Sequence, residues 1–89
     1  MNHYVYILKS QKDKGYYIGY TTDIKNRVFA HNEGLTKSTK GRRPLGMVCY
    51  QEFSNKKEAL DYEKFIKSSR GAKTKIEWIK ENDQHHGYY

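Results

Sequence analysis

The sequence predicts a small domain of the α+β (mixed α/β) class, in which helices flank a three-stranded antiparallel sheet. Three observations support this prediction. Two segments rich in tyrosine and β-branched residues are separated by only five polar residues, a spacing that favours an antiparallel hairpin. A third segment of this kind follows a helix-like stretch, and two later stretches carry apolar residues at helical spacing. The predicted order is therefore ββαβαα, and 89 residues leave room for one core.

The first two strands form the hairpin and are predicted over residues 3–10 and 16–20. Residues 11–15 between them are polar and end in glycine, as turns commonly do. Because side chains alternate along a strand, Tyr6 and Val5 point to opposite faces of the sheet.

A helix is predicted to follow the hairpin. Thr22 or Asp23 can serve as its N-cap, and Gly34 suits the position just after its C-terminal end, near residue 33. Asp23 also places a negative charge at the positive end of the helix dipole.

The apolar face of that helix includes two polar residues. Arg27 and His31 share one side of the helix with Ile24 and Val28, because these positions follow helical spacing. An arginine at the edge of a buried face requires a partner or a ligand, and arginine matches phosphate well. The alternative is an exposed arginine and a histidine placed in the last turn, where the helix dipole favours cations.

A basic loop precedes the third strand. Residues 35–46 contain two glycines, the only proline of the chain and four cationic side chains. Such a loop suits contacts to phosphates that position a nucleic acid without reading its sequence. The third strand is predicted over residues 46–53.

The second long helix carries a carboxylate on its apolar side. Asn55 and Glu58 match the capping-box pattern, and the helix is expected to end near residue 68. Glu63 shares one face with Ala59 and Ile66. A carboxylate there needs either a divalent cation or a neighbouring lysine, and spacing alone leaves both alternatives open.

Gly71 interrupts the helical pattern, and a last helix is predicted over residues 72–80. Ile76 and Ile79 are expected to face the core. The predicted division of the chain is residues 1–80 for the domain and residues 81–89 for a flexible C-terminal tail.

The composition favours an anionic partner. The formal net charge is +7 and the pI is about 9.5, values that indicate an anionic partner such as nucleic acid or an acidic membrane surface. Surface charge that serves only solubility is the alternative. The one cysteine, Cys49, lies in an apolar run and is expected to be a buried thiol. We expect no signal peptide, no membrane-spanning segment and a reducing, cytoplasmic location.

Two tyrosines are candidates for chemistry. A phenol is a poor base at its ordinary pKa near 10, but a nearby histidine can relay its proton. Tyr6 and Tyr17 could act in this way if the fold brings them to His31. Packing of strand tyrosines at the edge of the core is the simpler interpretation.

The ordered set of these motifs is more informative than any one of them. Tyr4-Val5-Tyr6 is followed after ten residues by Tyr17-Ile18-Gly19, and later by Arg27, His31 and Glu63. This set, together with the basic stretch 39–45, resembles the GIY-YIG nuclease domain. In particular, it is similar to a small stand-alone bacterial subgroup related to the amino-terminal nuclease domain of the UvrC excinuclease. The resemblance covers about residues 3–80.

The resemblance implies a metal-dependent endonuclease that hydrolyses DNA, with repair or recombination as the setting. RNA is an alternative substrate, and a larger repair complex is a candidate partner. It implies that Tyr6 and Tyr17 act near the attacking water, that Arg27 stabilises the phosphate and that His31 relays a proton. Glu63 would hold one divalent ion, Mg²⁺ or Mn²⁺, and Gly19 belongs to the structural motif. The residues expected to contact nucleic acid are Lys37, Lys40, Arg42, Arg43, Arg70 and Lys73.

The sequence also departs from the family pattern. Tyr4 stands where the first triplet has glycine, and Tyr20 where related domains often have lysine. Several family nucleases carry an asparagine about twelve residues after the glutamate, but that region here holds Lys75, and the nearest asparagine is Asn82. The missing asparagine favours an alternative function, a non-catalytic module that binds nucleic acid. A third alternative is a basic interaction domain that docks onto a repair complex. For an enzyme, we expect the five site residues to converge on one cleft with side chains within about 10 Å of each other; Glu63 on the opposite side of the sheet from Arg27 would contradict the nuclease interpretation.

Overall fold

The computed structural model describes residues 2–83 and confirms the predicted class and element order. The three strands form one antiparallel sheet, with the first strand in the centre and the second and third at the edges. The elements are β1 (His3–Ser10), β2 (Tyr16–Thr21), α1 (Ile24–Asn32), β3 (Leu45–Phe53), α2 (Lys56–Lys67) and α3 (Ala72–Asp83), with 3₁₀ turns at Lys40–Arg42 and Ser69–Gly71.

The helix ends follow from local chemistry. Asp23 caps α1 by accepting a hydrogen bond from the backbone N–H of Asn26, and Asn55 caps α2 in the same way. Gly34 adopts a positive φ of 77° after α1, a conformation that favours glycine. At Gly71 a side chain would collide with the Phe65 carbonyl, so only glycine fits the turn that follows α2.

The alternation of side chains along β1 gives the sheet two different faces. Val5 and Ile7 point toward α2 and α3, where they form one buried cluster with Ile66. Tyr6 and Leu8 point the other way and pack against the apolar side of α1. The helices therefore lie on opposite faces of the sheet, α1 on one and the α2–α3 pair on the other.

Hydrogen bonds of polar side chains hold two loops against the sheet on the α1 side. The hydroxyl of Ser10, which is fully buried, donates to the Arg42 carbonyl and accepts from the N–H groups of Lys12 and Asp13. It thereby joins the β1–β2 turn to the loop that precedes β3. This loop is folded around a 3₁₀ turn, and its Arg43–Pro44 peptide is cis.

A second fastening lies at the end of α1. The Asn32 side-chain amide donates to the Leu45 carbonyl at 2.8 Å and accepts from the Leu45 N–H at 2.7 Å. We call this pair of hydrogen bonds the Asn32 clasp. It holds the end of α1 against the beginning of β3, because the amide both donates to and accepts from the same residue, as a paired residue of a neighbouring strand does.

The last helix differs from its prediction in two respects. It continues to Asp83, whereas the predicted tail begins at residue 81; residues 84–89 of that tail lie outside the described residues. The prediction that Ile76 faces the core is wrong, since this side chain is 58% exposed. Trp78 packs edge-on against Tyr62, and a residue two positions away on a helix points to nearly the opposite side.

Two further expectations can be compared with the described residues. Cys49 is a buried thiol, as predicted. None of the helices within residues 2–83 combines the length and apolar content that crossing a membrane requires.

Candidate active site

The candidate site is built around Tyr6 on the central strand. Tyr6 is paired with Gly19 of β2, and its phenol lies directly over that glycine. A Cβ at position 19 would collide with the Tyr6 hydroxyl oxygen, so the close approach requires glycine. The missing side chain lets the phenol of a buried tyrosine reach the edge of the sheet.

A chain of hydrogen bonds runs through that phenol. Arg27 donates its Nε–H to the Tyr6 hydroxyl at 3.2 Å, and the hydroxyl lies 3.1 Å from Nε2 of His31. On the far side of the ring, Nδ1 of His31 lies 2.7 Å from the Thr39 hydroxyl. We call these four residues the proton chain.

The partners favour one direction for the protons. Thr39 can donate its hydroxyl to the Thr36 carbonyl at 3.4 Å, which leaves its oxygen to accept from Nδ1–H of His31. A neutral imidazole with its proton on Nδ1 has an acceptor at Nε2. In this tautomer the Tyr6 hydroxyl donates to His31, while its oxygen accepts from Arg27.

Burial and charge shift the titration of these groups. Burial, followed by the positive charge of Arg27, lowers the pKa of His31 to about 4, so the imidazole is neutral at pH 7. Burial also raises the pKa of Tyr6, against the opposing influence of Arg27. The hydrogen bond to Tyr6 is the main reason why the pKa of Arg27 is raised. His31 does lie in the last turn of α1, but its side chain is fully buried and its imidazole is neutral at pH 7, so the helix dipole does not act on a cation there.

Tyr17 joins the group through its ring. Its ring centroid lies 5.0 Å from that of His31 and 6.5 Å from that of Tyr6. Tyr17 is half-buried, whereas Tyr6 is 1% exposed, so Tyr17 is the phenol more accessible to solvent. Arg27 interacts with both phenols. Four of the five expected residues therefore converge.

Glu63 approaches from the other face of the sheet. Its helix, α2, packs opposite α1, so the expectation that Arg27 and Glu63 lie on one side is wrong for their helices. Its carboxylate nevertheless contributes to the raised pKa of Tyr6, after the larger effects of burial and Tyr17. α2 packs against β2, the edge strand that contains Gly19.

Comparison with known proteins shows the family of the chain. Residues 2–77 match the family described as the GIY-YIG catalytic domain. The chain belongs to the GIY-YIG family. Two of its relatives are the UPF0213 protein SH2523 of Staphylococcus haemolyticus and the UPF0213 protein YazA of Bacillus subtilis. They are 47% and 43% identical to it, over 83% and 74% of this chain and 92% and 67% of their own lengths.

A solved structure from the family has the same fold. The solution NMR structure of the UPF0213 protein BH0048 from Bacillus halodurans superimposes on this GIY-YIG chain with a TM-score of 0.53. The two sequences are 40% identical, and the match covers 86% of this chain and 84% of that one.

GIY-YIG nucleases generally use a divalent metal ion, which requires side-chain oxygen or nitrogen ligands. Within residues 2–83, no three His, Cys, Asp or Glu side chains cluster closely enough to form a metal site by themselves. Among the described residues, Glu63 is the carboxylate whose charge acts on Tyr6; its side chain is 18% exposed and one oxygen lies 3.0 Å from Lys67. Mg²⁺ is often held by one or two carboxylates, with water and substrate phosphate completing its shell. The donors present fit such a single-carboxylate site.

The structure divides the predicted nucleic-acid contacts into two kinds. Arg42 is paired with Asp13 at 3.1 Å and also donates to the Tyr16 carbonyl, so it braces the loop. The other cations predicted to contact nucleic acid are all exposed: Lys37, Lys40, Arg43, Arg70 and Lys73.

Thr39 is the residue that sequence reasoning missed. It is fully buried, and its hydroxyl sets the protonation of His31 on the side away from Tyr6. In the sequence it is one of several polar residues in a basic loop, and no periodicity marks it as buried. Its contact with His31 is visible only in the three-dimensional structure of the loop.

Proposed function

We propose that this GIY-YIG chain is a divalent-metal-dependent endonuclease that hydrolyses phosphodiester bonds in DNA. A role in repair or recombination and a cytoplasmic location are part of the proposal. The observation that carries it is the proton chain, in which a buried neutral imidazole accepts from a phenol that an arginine also contacts. A protein interior that needed only packing would not gather these groups at a glycine on the sheet edge.

Each residue has a role that follows from its contacts. Arg27 lies between the two phenols and supplies positive charge to a phosphate that develops negative charge in the transition state. Tyr17, the more accessible phenol, orients the attacking water. Tyr6 takes a proton from that water as it passes its own proton to Nε2 of His31, and Thr39 holds the imidazole in the form that can accept it.

Substrate binding would make His31 a better base. The positive charge of Arg27 contributes to the low pKa of the imidazole in the free protein. A phosphate anion placed against Arg27 offsets that charge, so the pKa of His31 rises when the substrate is in place. The proton chain is therefore most basic when a phosphodiester is bound.

Glu63 is the residue that would hold the divalent ion. When bound, such an ion neutralises charge on a phosphate and favours an attacking oxygen at neutral pH.

The test compares cleavage with binding in matched variants. Labelled single-stranded, duplex and branched DNA is incubated with wild-type protein, Glu63→Gln or Arg27→Ala, in Mg²⁺, Mn²⁺ or chelator. Glu63→Gln should abolish cleavage and leave DNA binding intact, and Arg27→Ala should slow cleavage about a hundredfold or more. Asp61→Asn is the control, since it removes the same charge from the same helix at an exposed ion pair. Cleavage by Glu63→Gln with the wild-type metal requirement would contradict the metal role.

A non-catalytic nucleic-acid-binding module is the second candidate. The ion pair between Glu63 and Lys67 favours it, because this carboxylate already has a cationic partner one helical turn away. So does the absence of the family asparagine near Lys75. If the wild-type protein binds DNA but no metal supports cleavage, the binding module is the better account.

A further inference from the structure

A basic pocket lies beside the end of α1, apart from the proton chain. It has a volume of about 520 Å³ and is open to solvent. Three of its lining residues are cationic, and none is acidic. The lining consists of Lys12, Asn32, Lys40, Gly41, Arg43 and Pro44.

The three cations of this pocket are available to a ligand. Within residues 2–83, no carboxylate pairs with the ammonium group of Lys12 or Lys40. Arg43 uses its Nε–H on the Lys40 carbonyl at 2.9 Å, which orients the guanidinium. The neighbouring Arg42 contrasts with them, because Asp13 already neutralises it.

The pocket is held together by the fold. Lys12 belongs to the β1–β2 turn, whereas Lys40 and Arg43 belong to the loop before β3. The buried Ser10 hydroxyl joins these two segments, and the Gln11 N–H donates to the Pro44 carbonyl at 2.9 Å. The like charges are therefore kept close together, an arrangement that an anion would stabilise.

We propose that Lys12, Lys40 and Arg43 bind a backbone phosphate of a nucleic acid strand, distinct from the phosphate that is cleaved. The inference rests on the proposed function for its substrate class. The pocket has no aromatic side chain in its lining on which a base could stack, so a backbone phosphate fits it better than a nucleotide base does.

The position of the pocket links it to the candidate active site. Asn32 follows His31 in α1, and Lys40 follows Thr39, so the pocket and the proton chain share the end of one helix. A strand held at the pocket would be positioned relative to the cleft without being read for sequence. The pocket would thus set the register of the backbone and leave base identity unread.

The test measures binding to a fluorescein-labelled DNA duplex by anisotropy, over a range of salt concentrations and in chelator. Lys12→Gln and Arg43→Gln should each weaken binding and reduce the log–log salt slope by about 0.9, as expected for one lost phosphate contact. The double variant should lose about twice as much slope. Lys57→Gln is the matched control, because it removes an exposed positive charge from α2 that is paired with Asp61.

The control variant also distinguishes phosphate binding at the pocket from a general effect of net charge. If Lys57→Gln reduces the slope as much as Lys12→Gln does, net charge explains the effect and the pocket proposal is overturned. Wild-type affinity and slope in both pocket variants would overturn it as well. Because chelator prevents metal-dependent cleavage, this outcome is independent of the nuclease test: a protein that never cleaves can still show the pocket effect.

Discussion

The two faces of the sheet bury different kinds of groups. Under α2 and α3, the core is apolar, with Val5, Ile66 and Ile79 among its buried members. Under α1, the apolar residues share the interior with a fully buried histidine and threonine, His31 and Thr39. Apolar contacts are non-directional, whereas each buried polar atom needs a partner in a particular place.

This difference indicates a division of tasks within a small domain. The apolar face can lose contact area and still specify the same fold, because its contribution scales with area. The α1 face depends on a connected set of hydrogen bonds, and removing one member leaves its neighbours unsatisfied. Substitutions on the two faces should therefore separate stability from chemistry.

The largest effect on stability is expected from the apolar face. Ile66→Ala removes a fully buried side chain from the cluster beneath α2 and should destabilise the protein by about 2–5 kcal/mol. The cleavage rate per folded molecule should remain that of wild type. Urea unfolding gives the first quantity, and cleavage assays at a temperature where the variant is folded give the second. A rate loss in fully folded protein would show that the two faces are coupled.

On the α1 face, His31 should make stability depend on pH. The unfolded chain takes up a proton on this histidine below its ordinary pKa of 6.5, but the native protein does so only near pH 4. Between these values the unfolded state binds more protons, so stability rises with pH and falls as the solution is acidified. The loss from pH 6.5 to pH 4 should be about 2–3 kcal/mol.

The measurement is urea unfolding of wild-type protein and His31→Gln across this pH range. Subtracting the two curves removes the contribution of groups that titrate in both proteins. The difference should decline with acidification and be flat above about pH 7. Parallel curves would mean that His31 titrates normally and that the α1 face is more open than its burial indicates.

The smallest effect on stability is expected at Thr39, within the α1 face. Thr39→Val keeps the shape of the side chain but removes the acceptor for Nδ1–H of His31, and should cost about 1–3 kcal/mol of stability. Thr39→Ser retains the hydroxyl and should restore the pH dependence of cleavage that Thr39→Val alters. If valine and serine give the same pH profile, Thr39 contributes packing only and does not position the imidazole.

The sequence predicted the parts of the fold that repeat along the chain. Alternation placed Tyr6 and Val5 on opposite faces, and helical spacing put Arg27 and His31 on one side of a helix. It did not predict which cations of the basic loop are already paired. Arg42 and Arg43 are adjacent and chemically alike, and only contacts with a distant turn distinguish them.

The same limit applies to Glu63. Its position on the apolar side of a helix was predictable, but the face of the sheet that this helix covers depends on how the whole chain crosses the sheet. The expectation that Arg27 and Glu63 lie on one side assumed that residues on opposite faces of a sheet cannot contribute to one site. Gly19 lies on the edge strand, and its missing side chain lets the Tyr6 phenol extend over that strand on the α1 face, while α2 packs against the same strand from the other face.

The Asn32 clasp has a consequence for how the domain could change over time. The clasp joins the two ends of residues 33–44, and a loop whose ends are fixed costs little to lengthen. Thr39 is the point at which this loop touches the proton chain, and contacts with the β1–β2 turn hold the stretch that follows it. The stretch between the clasp and Thr39 can therefore be exchanged while the imidazole keeps its place. The surface that binds the substrate can then change to suit a nucleic acid of different shape, while the residues of the proton chain stay the same.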